Sequence, residues 1–264
     1  MKDTTRIALL HQHLRELKLD NILEHYPELM QQAEDRESSY EEFLLSLTEL
    51  ELRVRAQNSL NHRIEDARFP LLKTLESFDL NEIPGPAGRL IQELMNGEYI
   101  VQHRNVIILG EARTGKTHLA IALGVEACRQ GVRTRFVTSG SLAHELIEAR
   151  RERALSRLVG KYDRYGLLIL DELGAEPFSP EGAELVFEVL AERHKKASVI
   201  IASRLEFAEW TQIFGETTLT NALVDRLTHN AAIITLPERV AVSKRLSIRK
   251  DDRGDSAGRT ATAT

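Results

Sequence analysis

The sequence predicts an α/β protein with a parallel five-stranded sheet, preceded by a small all-helical domain, and three observations carry that reading. Apolar runs of strand length alternate with helical patterns from about residue 87 onward, the rhythm of crossover connections between parallel strands. One strand-to-helix junction, Gly110-Glu111-Ala112-Arg113-Thr114-Gly115-Lys116-Thr117, has the glycine spacing of a phosphate-binding loop. The segment before residue 68 carries apolar residues at helical spacing instead.

Residues 7 to 33 place Ile7, Leu10, Leu14, Leu17, Leu19, Ile22, Leu23 and Leu29 at largely helical spacing, which reads as a helical hairpin. Ser39 followed by Glu42 is a capping box that opens a long helix through Arg53 and beyond. Arg53, Arg55, His62, Arg63 and Arg68 make its later part basic, either a solvated face or a surface that tracks phosphates. Pro70 and Pro84-Gly85-Pro86 mark a linker, so the expected domains are 1–67, helical, and 68–250, α/β, followed by a disordered tail at 251–264. Strands are expected at 105–109, 134–138, 166–170, 198–203 and 231–236. Helices are expected at 87–96, 116–130, 141–159, 181–195, 207–214 and 217–229, with Gly131 ending the second.

The loop's chemistry follows from its residues. Glycines let backbone N–H groups turn onto a polyphosphate, and the helix opening at Lys116-Thr117-His118 adds its positive dipole end. Lys116 reaches the outer phosphates, and the Thr117 hydroxyl suits Mg²⁺, a hard ion that takes oxygen ligands. Gly166-Leu167-Leu168-Ile169-Leu170-Asp171-Glu172 is an apolar strand ending in two carboxylates, placing Asp171 beside Mg²⁺ and Glu172 where it orients or deprotonates an attacking water. Asp171-Glu172-Leu173-Gly174 also fits a short GTPase pattern. No Asn-Lys-x-Asp or Thr-Lys-x-Asp element follows, so ATP is the expected nucleotide.

A formal charge of −5 over 264 residues argues against wholesale nucleic-acid coating, so basic patches must be local. The densest is Arg150, Arg151, Arg153 and Arg157 with Lys161 and Arg164, either paired with Glu145, Glu148 and Glu152 or presented to a nucleic-acid backbone. A lone cysteine, Cys128, excludes an internal disulfide framework and fits a reducing cytoplasm. With no apolar stretch near membrane-spanning length, the expectation is a cytoplasmic protein without membrane contact.

With these residues assembled, the chain resembles the IstB/DnaC-type AAA+ ATPases, most of all the IstB-like helpers of bacterial insertion sequences. The resemblance rests on Ser39-Tyr40-Glu41-Glu42-Phe43-Leu44, Arg68-Phe69-Pro70, Lys73 through Asp79, Gly115 through Ala120, Leu170 through Gly174, Phe207 through Trp210, and Asp225-Arg226-Leu227 with His229. It implies an AAA+ P-loop ATPase that uses ATP and Mg²⁺, forms homo-oligomers on double-stranded DNA, and recruits and stimulates a cognate transposase. It also implies DNA contact by Arg150, Arg151, Arg153 and Arg157, and an arginine, Arg226, that reaches a neighbouring subunit's ATP site; Arg245 stands at a C-terminal family arginine of open role. Two departures stand out. The family has Asn at the tip of the fourth strand where this chain reads Ala202-Ser203-Arg204, making Ser203 the candidate substitute in catalysis, and Arg113 replaces a loop Gly. The alternative reading is a replicative helicase loader. A small-molecule P-loop kinase is disfavoured, because it leaves the basic helix without a role.

Overall fold

A computed structural model of the chain describes residues 3–78, 83 and 85–237. Asp79, Leu80, Pro84, Arg245 and the expected disordered tail lie outside the described residues. Three helices come first: α1 (Asp3–Glu16), α2 (Asp20–Asp35) and α3 (Tyr40–Ala67). The capping box at the start of α3 forms as its sequence dictates, with Ser39 N–H donating to Glu42 and Glu42 N–H donating to Ser39 Oγ. Leu14, Ile22 and Leu47 are the buried centre of this bundle.

The first half of α3 belongs to that bundle, but its last turns dock on the α/β region. Arg63 Nε donates to Cys128 O at 2.8 Å, and Asp66 accepts from Arg133 at 2.9 Å and from Tyr165 Oη at 3.2 Å. Arg133 also lies over the Tyr165 ring. The basic stretch expected along α3 is thus partly spent on intramolecular contacts at its C-terminal end. Arg68, at φ 56°, then ends the helix in the left-handed region.

Beyond it come α4 (Gly85–Met95), α5 (Glu98–Val101), β1 (Val106–Leu109), α6 (Lys116–Arg129), β2 (Thr134–Thr138), α7 (Ser139–Arg151), α8 (Leu155–Tyr162), β3 (Leu167–Leu173), α9 (Pro180–Arg193), β4 (Ser198–Ser203), α10 (Thr211–Phe214), α11 (Thr217–Thr228) and β5 (Ala232–Thr235). The sheet order is β2-β3-β4-β1-β5 with every pairing parallel. Apolar runs are the signature of strands covered on both faces, and alternate residues here divide between two cores. Val106, Ile108, Leu167, Ile169 and Ile200 pack against α6 and α4, whereas Ile107, Leu109, Leu168, Leu170 and Ile201 pack against α7, α9 and α11.

Arg193 stitches one end of this sheet together. Fully buried at the end of α9, it donates to Tyr162 O at 2.9 Å and Tyr165 O at 2.8 Å, and burial pushes its pKa down to about 10.

Three expectations need correction. The helix expected over 141–159 is two helices, because the chain turns left-handed at Arg153, φ 57°, and breaks between Arg151 and Leu155. The 207–214 helix is a 3-10 turn, Phe207–Glu209, followed by the single turn α10. β3 runs to Leu173 rather than 170, so the acid pair lies within the strand and not past it.

Candidate nucleotide-binding site

β1 ends at Leu109, and the loop leaves the sheet through a run of unusual backbone. Gly110 has φ 149°, Arg113 φ 67° and Gly115 φ 99°. Two of these require glycine. A Cβ at Gly110 would stand 2.8 Å from Leu236 O, and one at Gly115 would stand 2.9 Å from the Phe78 ring, so a side chain at either position would clash as well as strain the backbone. Arg113 adopts the left-handed conformation without that freedom. Thr114, fully buried, fixes the turn by donating from Oγ1 to Glu111 O at 2.9 Å. Ala112 is exposed at the loop's crest.

Lys116 opens α6 and folds back over the loop, its Nζ donating to Gly110 O and Glu111 O at 2.7 Å each. Burial lowers its pKa against the pull of Asp171 and Glu111, and the positive charge of Arg204 lowers it further. Beside it, Thr117 Oγ1 donates to Asp171 Oδ2 at 2.7 Å, joining the start of α6 to the tip of β3. Burial raises the Asp171 carboxyl's pKa, opposed by the Thr117 bond, the Glu172 N–H and the charge of Lys116.

A bulge in β3 sets the two acids apart. Toward β4 the register steps from Leu170↔Ile201 to Leu173↔Ser203, so β3 uses one residue more than its partner. Glu172 absorbs the extra residue at φ 59°, and its carbonyl accepts from Ser139 Oγ at 3.0 Å. The outcome is a buried Asp171 beside Thr117 and an exposed Glu172 one residue on.

The sequence did not place Pro70, Leu71 and Lys73 in the site. They face Arg113, His118 and Ile121 across a cavity of about 430 Å³ that reaches Lys116 and Thr117, so the expected linker forms one wall beside the phosphate loop. His118 anchors that wall from beneath. Its Nε2 lies 3.0 Å from both Thr74 O and Ser77 Oγ, its ring meets Phe78 edge-on, and Nδ1 is buried without a partner. A larger groove of about 730 Å³ between α7, α8 and Arg133 shares no residue with the loop and mixes acids with bases.

The remaining candidates divide. Ser203 is fully buried, and its hydroxyl is engaged with Leu173 O at 2.9 Å, Leu205 O at 3.1 Å and Leu205 N–H at 3.0 Å. The exposed polar group at that strand tip is Arg204, with Nε donating to Gly174 O at 2.9 Å. Arg226 is exposed on α11 with its guanidinium 5.2 Å from the Phe187 ring centre, rather than paired with Asp225. Arg150, Arg151, Arg153 and Arg157 are exposed around the break between α7 and α8. Of these, Arg150 alone makes an ion pair among the described residues, at 3.8 Å to Glu181.

A glycine-bounded backbone cradle, an ammonium over it and a hydroxyl bonded to a carboxylate suit a nucleoside polyphosphate with a hard divalent cation. Residues 12–250 match the family described as IstB-like ATP binding protein. The chain belongs to that family. A relative from Pseudomonas aeruginosa, named as an ATP-binding protein of insertion sequence IS21, is 38% identical over 84% of both chains. One from Geobacillus stearothermophilus, named likewise for insertion sequence IS5376, is 33% identical over 86% of this chain and 90% of its own. Among solved structures, DnaI superposes with a TM-score of 0.54 at 20% identity, over 66% of this chain and 93% of that one, which establishes the AAA+ P-loop fold. As a member of the IstB-like family the chain is an ATP-binding protein. Among its described residues no helix is long and apolar enough to cross a membrane.

Proposed function

We propose that this protein is an ATP-hydrolysing, DNA-binding helper of transposition, which assembles copies of itself on duplex DNA when loaded with ATP and then recruits and stimulates the transposase of its insertion sequence. The observation that carries the enzymatic part is the 2.7 Å bond from Thr117 to Asp171 beside Lys116, two hard oxygen donors and a cation converging at one end of the loop. The relatives' names, which tie them to insertion sequences, favour this reading over a helicase loader.

In this reading the loop N–H groups and Lys116 hold the β- and γ-phosphates, and Lys116 exchanges its bonds to Gly110 O and Glu111 O for phosphate oxygens. Thr117 and Asp171 would hold Mg²⁺, which supplies charge neutralisation across the phosphates. Glu172, turned outward by the bulge, orients the attacking water and accepts its proton. Arg226, exposed on α11 against the Phe187 ring, serves a neighbouring protomer's site, where a guanidinium stabilises charge developing on the transferred phosphoryl group. The arginines at the break between α7 and α8 face the DNA backbone.

The test is nucleotide titration followed by duplex binding. Wild type should bind ATP, and gel shift on duplex DNA should strengthen with ATP or a non-hydrolysable analogue relative to ADP. Lys116→Ala should weaken nucleotide binding about 10- to 100-fold, the scale of losing a charged hydrogen-bonding group, and should abolish the ATP-dependent shift. Equal DNA binding with and without nucleotide would remove the ATP-gated part of the proposal.

A further inference from the structure

A parallel sheet begins all of its strands at one end, opposite the tips that carry the phosphate loop and the acid pair. Across that end, in the order β2-β3-β4-β1-β5, lie five short connections, residues 130–133, 163–166, 194–197, 102–105 and 229–231. They carry Arg133, Arg164, Lys195, Lys196 and Arg104, three histidines, and a single carboxylate, Asp163.

Hydrogen bonds tie each connection to the next. Leu167 N–H donates to Arg133 O at 3.2 Å, between the β2 and β3 entries. Arg193 spans the β3 and β4 entries through Tyr165 O at 2.8 Å and Ser198 O at 3.3 Å. Val199 N–H donates to Asn105 Oδ1 at 3.1 Å, joining β4 to the β1 entry, and Arg104 Nε donates to Asn230 O at 3.2 Å, joining that to the β5 entry. The backbone beneath these cations is therefore a braced platform.

Arg133 is neutralised by Asp66 at 2.9 Å. Arg164, Lys195 and Lys196 are exposed and Arg104 is half-buried, and none of the four forms an ion pair among the described residues. Like charges braced side by side repel, and anions drawn from solution relieve the repulsion.

Arrangement in a row, rather than around a point, decides the kind of anion. From β3 to β1 is two strand spacings, about 10 Å, and a duplex presents the phosphates of about three base pairs over that length. Lysine, a point charge on a flexible stem, needs no fixed acceptor geometry and so suits a backbone in any register. The row also continues into the arginine-rich region, because Arg164 lines the groove of about 730 Å³ together with Ala154, Arg157 and Lys161, next to the break between α7 and α8.

We propose that the end of the sheet where its strands begin is a second duplex-contact surface, on which Lys195, Lys196 and Arg104 extend the track of Arg157, Lys161 and Arg164 along the same DNA. This rests on the duplex binding proposed above and carries it to a face that reading leaves unused.

The experiment is fluorescence anisotropy of a labelled duplex with the full chain, in Mg²⁺ and a non-hydrolysable ATP analogue, over a series of salt concentrations. Wild type is compared with Lys195→Glu/Lys196→Glu, with Lys195→Arg/Lys196→Arg, and with Arg6→Glu/Arg15→Glu, which changes net charge equally through exposed residues of α1. Reversal at 195 and 196 should weaken duplex binding about 10-fold or more near ~0.1 M salt and lower the slope of log affinity against log salt by roughly two. The arginine pair should bind as wild type does, and the α1 pair should lose less than about 3-fold. Affinity for the ATP analogue should stay within about 2-fold throughout, which reports an intact fold. Wild-type affinity and slope in the reversed variant would overturn the proposal. So would equal weakening by the α1 pair, which would make the effect one of net charge, and so would loss of poly-glutamate binding with duplex binding spared, which would assign the surface to an acidic protein segment. Failure of the wild type to bind duplex at all would instead refute the proposed function beneath it.

Discussion

The residues of the phosphate loop show how little side-chain chemistry the site needs and how closely its backbone is constrained. Gly110 and Gly115 are blocked from carrying a side chain by Leu236 O and the Phe78 ring, so elements far apart in sequence enforce the loop's shape. His118 belongs to the same support. Burial lowers its pKa from the ordinary 6.5, helped by the charge of Lys73 and opposed by the bond to Thr74 O. Below pH 6.5 the unfolded chain takes up a proton that the folded ring refuses, so this group's contribution is intact above that value and is lost as pH falls toward the depressed folded pKa. Urea midpoints measured from pH 7 to 5 should therefore fall in wild type and fall less steeply in His118→Gln. Some slope persists in the variant, because His194 is lowered in the same direction by burial. Identical slopes would place His118 outside this linkage. The meeting of Thr117 with Asp171 beside Lys116 was legible from the loop's spacing and from an apolar strand ending in carboxylates. The role of Ser203 was not, because a hydroxyl at a strand tip reads the same in sequence whether it faces solvent or, as here, caps its own turn.

Among the elements, strands β1, β3 and β4 were legible to within a few residues because burial on both faces gives each an apolar run, whereas β2, Thr134-Arg135-Phe136-Val137-Thr138, carries apolar residues only at its centre. The bulge in β3 was not, since no glycine or proline announces it and Glu172 takes a positive φ without one. The break between α7 and α8 escaped for the same reason. Arg151, Glu152 and Arg153 suit a helix by propensity, yet Ala154 N–H returns to Ala149 O at 2.7 Å and Arg153 N–H to Arg150 O at 3.2 Å, a left-handed helix stop made without glycine. A non-glycine residue there costs on the order of 1 kcal/mol. Arg153→Gly should accordingly be neutral or stabilising by up to about 1 kcal/mol in denaturant unfolding, whereas Arg153→Val should lose stability. If both variants lost stability equally, the backbone would not be the source of the strain.

For the molecule as a whole, the sheet order β2-β3-β4-β1-β5 brings three strand tips, those of β1, β3 and β4, around one loop, and it carries the basic break between α7 and α8 beside the β2 edge, away from that loop. Fuel and DNA thus have separate faces in the proposed function. Reversing Arg150, Arg151 and Arg153 to Glu should weaken duplex binding and flatten its dependence on salt by roughly the number of phosphate contacts removed, with ATP affinity unchanged. An unaltered salt slope would return these arginines to an ordinary solvated surface. The phosphate loop and the arginine cluster were legible as motifs, but their separation in the fold was not, because it depends on strand order and no local pattern encodes that.

One helix gives this arrangement a mechanical side. α3 starts within the N-terminal bundle and finishes bolted to the α/β body through Arg63 and Asp66, with no hinge glycine or proline among its 28 residues. A rod of that length measures about 42 Å, so tilting its bolted end by ~10° swings the far end through ~7 Å. Small rearrangements at the nucleotide-binding body would arrive at the bundle magnified, as travel at the tip of a crank.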